Sequence, residues 1–489
     1  MAESRKDHSR RVHAHVVVVP YPSQGHINPL LQFAKHLAFR GVKATLATTR
    51  YTVPSISTPY VGVEPISDGF DDSGFAQAGS EDVYLSSFKA NGSRTLSEII
   101  RKFKSSGFPV DCVVYDSFLP WALDVAREHG IYGASFFTNS AAVSAVFSML
   151  HDGKLSLPLK LDESPLQLPG LPPLYSYDLP SFLKAPGSYP AYLAMKLSQF
   201  SNLEDADWVF GNTFEALEGK VAGTVSEQWP AKLIGPMVPS AYLDERMEED
   251  KGYGASLWKP LGEKCMKWLE SKARHSVAYV SFGSMVSLSA EQMEEVAWGL
   301  KGSEMNFIWV VRGTELGKLP SHFVESTREK GVVVTWCNQL DILGHGAVGC
   351  FVTHCGWNST LEGLSLGVPM VGVPKWADQL TDAKFIEGVW RVGVRAKEDH
   401  KGIVTRDELI SCLKQVMGDG DAAAEMRANV AKWKALAREA MSQGGSSDRA
   451  IAHFVHHLIS NKKQQLNTNT NTNAIQWSGY MGMRVPPIN

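Results

Sequence analysis

The feature that most constrains this chain is a short apolar run with a helix-coded segment behind it. Val16 to Val19 is continuously apolar, as a strand buried on both faces must be. Leu30, Phe33, Ala34, Leu37 and Ala38 then recur at helical spacing. Asn28 reads as the N-cap of that helix, Pro29 as its first residue and Gly41 as its stop. Val42 to Thr48 returns as a second strand, which makes a βαβ unit and calls for a parallel α/β sheet. The grammar repeats. Cys112 to Tyr115 reads as a strand ending at Asp116, followed by a helix over 122–129, a strand at Tyr132 to Phe137 and a short one at Trp208 to Phe210. The Pro- and Leu-rich stretch over 155–190 reads as irregular. Further strands are expected at Val277–Phe282, Phe307–Val311, Gly331–Thr335, Cys350–Thr353 and Met370–Val373, and Ser289-x-x-Gln292 is a capping box that opens a helix.

The expected organisation is two α/β units. Residues 1–236 form the first, a polar linker over 237–258 is expected to lie exposed, and 259–461 form the second, whose last helix packs back on the first. Residues 462–489, with their Asn-Thr repeat, read as a disordered tail. Open parallel sheets bind ligands beyond the carboxyl ends of their strands, so the cleft between the units is the expected site. With 48 basic and 51 acidic residues there is no cationic surplus to hold nucleic acid. Six cysteines without a CxxC pair read as reduced, buried thiols. No apolar run reaches the length of a membrane span, and Val16–Val19 is too short for a signal peptide core, so a soluble cytoplasmic monomer is expected.

The segment from Trp336 to Gln379 carries the chemistry. Within it, His354-Cys-Gly-Trp-Asn-Ser-Thr360 joins a buried strand to an apolar-periodic helix. A helix start offers free N–H groups and partial positive charge, which suits a pyrophosphate, and Gly356 permits close approach. The same geometry would also serve a plain capped helix. At the other end of the chain, His26 sits in the first βα loop just ahead of a helix start, which favours neutral imidazole, and Asp116 ends another strand of the same sheet. No P-loop and no G-x-G-x-x-G is present, which counts against phosphate-binding ATPases and nicotinamide enzymes. Asp205-x-Asp207 and Asp419-x-Asp421 match the DxD pattern of metal-dependent glycosyltransferases, but neither lies at a strand end beside the phosphate loop.

The forty-four residues from Trp336 to Gln379, with HCGWNSTLE, GVPM and the closing WADQ, resemble the signature box of plant UDP-dependent glycosyltransferases of small secondary metabolites. PYPSQGHINP near the start extends the resemblance. Asn338, Gly346 and Gly363 depart from the usual Pro, Lys and Ala. The resemblance implies a GT-B fold, two Rossmann-like domains facing across a cleft, and inverting transfer of glucose from UDP-glucose to a hydroxyl or carboxyl of a small apolar acceptor, without a metal. It places His354, Asn358, Ser359 and, with less support from its own pattern, Ser284 on the phosphates. Trp336 would stack on uracil. The backbone of Cys337 and the side chain of Gln339 would contact uracil and ribose, and Glu362 would accept from the ribose hydroxyls. Asp378 and Gln379 would hold the sugar, with Thr138 beside it, and Gly25 and Trp357 join the donor-binding set. His26 would be the base and Asp116 its partner. Phe118, Leu119, Trp121, Phe137 and Met195 are candidate acceptor walls. A non-catalytic nucleotide-sugar or small-molecule binding protein on the same scaffold is the alternative; retention of both His26 and Asp116 argues against it.

Overall fold

Apolar runs flanked by helices become two parallel sheets. The structure, a computed structural model, describes residues 14–159, 164–225, 231–247, 249–256 and 262–462. The first sheet holds β1 (His15–Val19), β2 (Lys43–Thr49), β3 (Gly62–Ile66), β4 (Cys112–Asp116), β5 (Tyr132–Phe137), β6 (Trp208–Gly211) and β7 (Lys232–Leu233), in the order β3-β2-β1-β4-β5-β6-β7. The second holds β8 (Val277–Ser281), β9 (Asn306–Val310), β10 (Gly331–Val334), β11 (Val348–Thr353), β12 (Met370–Gly372) and β13 (Gly393–Arg395), in the order β10-β9-β8-β11-β12-β13. Every pairing is parallel. Both orders reverse direction once, between β1 and β4 and between β8 and β11. Those are the points where chains leave neighbouring strands in opposite directions and open a crevice.

The expected strands are present within a residue or two. The first helix differs. It runs from Gln24 to Phe39, with Ser23 as its extended N-cap, so Asn28 and Pro29 lie inside it rather than at its start. A proline inside a helix has no N–H for the carbonyl four residues back. Here that carbonyl is Gly25 O, and it accepts instead from Asn358 Nδ2 at 2.7 Å, across the cleft. Ser289 caps the helix Ala290–Gly302 by accepting from Gln292 N. Gln292 does not complete the capping box, because its side chain exchanges two hydrogen bonds with the Val404 backbone.

The described residues of the expected linker, 237–247 and 249–256, are mostly packed rather than exposed. Met237, Val238 and Leu243 are core residues, and buried Asp250 pairs with buried Lys35 at 2.6 Å and accepts from Gln32 at 2.7 Å. The helix over 446–462 crosses back to the first sheet, where Phe454 packs on Phe33, Trp208 and Phe210 and Lys462 reaches Asp111. Direct bonds also join the halves: Trp357 Nε1 donates to Asn212 O, Ser140 to Asp382, and Thr381 to Asp178 O. All six cysteines are free and buried. The expected disordered tail beyond residue 462 lies outside the described residues. No helix among the described residues is long and apolar enough to cross a membrane.

Candidate active site

Two chambers open at the two switch points and share a wall. The larger, about 410 Å³, is lined by Trp336, Cys337, Gln339, Ser359 and Glu362 from the second half and by Gln24, Tyr253 and Ala255. The smaller, about 170 Å³, is lined by His26, Phe118, Thr138, Met195, Asp378 and Gln379. Gly25, Ser284, His354, Gly356 and Asn358 border both.

On the smaller side, β1 and the first helical turn deliver His26, and the end of β4 delivers Asp116. His26 Nδ1 lies 2.7 Å from Asp116 Oδ2. Asp116 is fully buried and also accepts from the backbone N–H of Phe118 at 3.1 Å and of Tyr21 at 3.4 Å. A carboxylate so placed only accepts, so the proton of this bond sits on Nδ1 and Nε2 keeps the lone pair. Thr138 Oγ1 is 3.1 Å from the same Nδ1, which puts this residue on the histidine as well as in the chamber wall.

At the shared wall, β11 ends in a tight turn. Cys355 takes φ of 65°, and Gly356 caps the helix Trp357–Leu366. The His354 ring is wedged between two glycines: a Cβ on Gly283 would come within 2.7 Å of it, and one on Gly356 within 2.6 Å. Burial holds the His354 imidazole down to about 4, so it is neutral near pH 7 and offers an N–H rather than a charge. Ser284 follows Gly283 after β8, and its carbonyl is fixed by Arg312.

The far wall of the larger chamber is a hydrogen-bonded network. Gln339 donates to Glu362 Oε2 at 2.6 Å and to Ser359 at 3.0 Å, and accepts from Tyr279 at 3.1 Å. Tyr253 donates to Glu362 Oε1 at 2.8 Å. Burial raises the Glu362 carboxyl to about 7 in spite of these two donors. Trp336 is half-buried beside this network, and Cys337 is buried with its thiol 3.6 Å from Tyr279 Oη.

Asp378 and Gln379 open the helix Gln379–Lys384 after a second turn with a left-handed residue, Ala377 at φ 56°. Gln379 Oε1 accepts from the backbone N–H of Lys375 at 3.0 Å and of Trp376 at 2.9 Å. Only its amide N–H₂ is therefore open to a ligand. Trp357 donates its indole N–H to Asn212 O, which ties the halves together, and it also lines the smaller chamber.

Of the candidate acceptor walls, Phe118 and Met195 line the smaller chamber. The other three do not. Trp121 fills the space over Gly92 against Phe88, Leu119 is core, and Phe137 packs on Phe200 beside a separate apolar cavity. Tyr21, Phe182, Tyr192 and Trp376 take their place, and no spacing in the sequence marks these four.

A family model described as "UDP-glucoronosyl and UDP-glucosyl transferase" matches residues 234–432, and one described as "Glycosyltransferase, N-terminal domain" matches 13–58. UDP-glycosyltransferase 74B1 of Arabidopsis thaliana is 52% identical over 453 residues, covering 92% of this chain and 98% of its own. The chain belongs to the plant UDP-glycosyltransferases. Mogroside I-E synthase of Siraitia grosvenorii is 45% identical over 90% of this chain and 97% of its own. Os79 of O. sativa, solved in complex with UDP, superposes with a TM-score of 0.86 at 40% identity, over 91% of this chain and all of that one. The fold is thus GT-B and the chain is an enzyme that uses a UDP-sugar.

Proposed function

We propose that this glycosyltransferase moves glucose from UDP-glucose to a hydroxyl of a small apolar metabolite, with inversion, giving a β-glucoside. The observation that carries the reading is that His26, held through Nδ1 by Asp116, and the Asp378–Gln379 pair line one chamber, next to the helix start at Gly356. The donor lies with uracil at Trp336 and Cys337, ribose at Glu362 and Gln339, and diphosphate at the helix start with His354, Asn358, Ser359 and Ser284. Asn358 exchanges its bond to Gly25 O for one to the diphosphate or sugar, so donor binding releases a contact across the cleft. Asp378 accepts from sugar hydroxyls and Gln379 donates to one.

In the transfer step the acceptor O–H proton passes to His26 Nε2. The oxygen forms a bond to the anomeric carbon on the face opposite UDP, and the bond from that carbon to the β-phosphate oxygen breaks with its electron pair. Asp116 stabilises the imidazolium that forms. The helix end and the His354 N–H stabilise the charge growing on the diphosphate. A carboxylate acceptor has no proton to lose and needs His26 less. Relatives that include a flavonol glucosyltransferase and a mogroside synthase, and a trichothecene bound to the rice enzyme, support small organic acceptors.

Product anomeric configuration, read by NMR, tests the reading; an α-glucoside overturns single-step inversion. Asp378→Ala is expected to lower kcat/KM for UDP-glucose about 10-fold, the scale of one lost charged hydrogen bond, while leaving UDP affinity unchanged. Equal weakening of UDP and UDP-glucose by calorimetry would take Asp378 off the sugar. The reading also needs no metal. Of the DxD candidates, Asp207 is occupied by Gly133 N–H and Arg127, away from both chambers. Excess EDTA is expected to leave turnover unchanged, and restoration of lost activity by Mg²⁺ or Mn²⁺ would contradict this.

A further inference from the structure

One charged group in the smaller chamber has no task in this scheme. Lys196, on the helix Pro190–Ser198, lines the chamber and is only 6% exposed. Its Nζ donates to Asn139 Oδ1 at 3.1 Å and sits 4.3 Å over the Phe118 ring. It forms no ion pair among the described residues. An ammonium has three N–H groups, and burying it beside a neutral amide and an aromatic face leaves it without a counter-ion in contact. Burial pulls its pKa down, while the carboxylates of Asp378, Asp116 and Asp382 act at longer range to hold the proton on. Asn139 lines the same chamber, and its Nδ2 is buried without a partner among the described residues.

The partner that completes such a group is an anion brought by the ligand. Phe118 connects it to the reacting centre, because the same ring that lies under Lys196 Nζ sits 4.7 Å from the His26 imidazole. Phe182, Tyr192 and Trp376 supply flat aromatic walls around it, with Met195 beside them.

We propose that Lys196, supported by Asn139, is an anion-recognition element of the acceptor chamber, so that this enzyme favours planar apolar acceptors carrying a carboxylate in addition to the hydroxyl that reacts at His26. The inference rests on the assignment of this chamber to the acceptor. The two groups divide the acceptor between them. His26 is of use only to a nucleophile that still carries a proton, whereas a carboxylate held on an ammonium is stabilised and is the poorer nucleophile. The anchored anion is therefore the spectator, and the hydroxyl at the other end is glucosylated.

The test compares 4-hydroxyphenylacetate and 3-hydroxybenzoate with their methyl esters at saturating UDP-glucose. In the unmutated enzyme each acid is expected to be preferred over its ester, chiefly through acceptor KM. Lys196→Met is expected to lower the acid-to-ester ratio of kcat/KM about 10- to 100-fold, and Lys196→Arg to restore part of it. UDP affinity and melting temperature report folding, and Lys196→Gln carries the same comparison if the methionine variant does not fold. Affinities of the acids and esters measured by calorimetry in the presence of UDP give the ratio without turnover. A ratio that does not change in the Lys196 variants overturns the proposal, as does an acid product that is an alkali-labile glucose ester. An intact Lys196 effect with unchanged turnover in His26→Ala would instead leave this proposal standing and remove the base.

Discussion

His26→Ala is expected to slow transfer to a phenolic or alcoholic hydroxyl by about 10²- to 10⁴-fold, with UDP affinity unchanged. The size follows from what is lost. Nothing else among the residues lining the smaller chamber combines a lone pair facing the acceptor with a fixed carboxylate behind it. Among the described residues Lys196 has no carboxylate in hydrogen-bond contact behind it, and the His354 ring is wedged between Gly283 and Gly356 at the shared wall. Asp116→Asn is expected to lower the rate strongly as well, by a different route. The amide that replaces Oδ2 can donate to Nδ1, which places the imidazole proton on Nε2 and presents a donor where a lone pair is needed. Because Asp116 also accepts from two backbone N–H groups, melting temperature must be measured alongside kcat. Turnover near that of the unmutated enzyme in either variant, with a hydroxyl acceptor, would remove the dyad.

This dyad was legible in sequence because strand ends are. An apolar run that stops at a polar residue locates the carboxyl edge of a parallel sheet, and His26 and Asp116 both lie there. The start of the first helix was not legible, for a specific reason. Asn28-Pro29 carries the usual start signal, yet the missing N–H of Pro29 serves an interior function by freeing Gly25 O for Asn358. The edge strands β3 and β13 are not legible because Gly-Val-Glu-Pro-Ile and Gly-Val-Arg lack a continuous apolar run, and an edge tolerates Pro65. Tyr253 and Lys196 were invisible for another reason. Their importance comes from what they meet in space, Glu362 on one side and Phe118 on the other, and neither meeting leaves a local period.

Glu362→Ala is expected to weaken UDP-glucose binding by about 2–4 kcal/mol, roughly 30- to 1000-fold, because a carboxylate accepting from two ribose hydroxyls makes two charge-assisted bonds at once. The same carboxyl should make donor binding depend on pH near neutrality. With its pKa raised to about 7, chiefly by burial, a large fraction carries a proton at pH 7 before the donor arrives. The ribose hydroxyls donate to the ionised form, so binding favours loss of that proton and lowers the pKa in the complex. The sign follows: below about pH 7 the proton must be removed at a cost, and affinity falls by up to tenfold for each unit of acidification until the pKa of the complex is reached. Above about pH 8 affinity should be level. UDP-glucose is the right probe, since its diphosphate is a diester without the terminal phosphate proton of UDP. His354, held down to about 4, titrates outside this window. Glu362→Gln keeps the shape of the side chain and removes its proton, so it should bind more weakly and lose the slope between pH 6 and 8. A slope that survives in Glu362→Gln, or one absent from the unmutated enzyme, would mean that the carboxylate is not on the ribose and that the Gln339–Glu362–Tyr253 network only holds the wall.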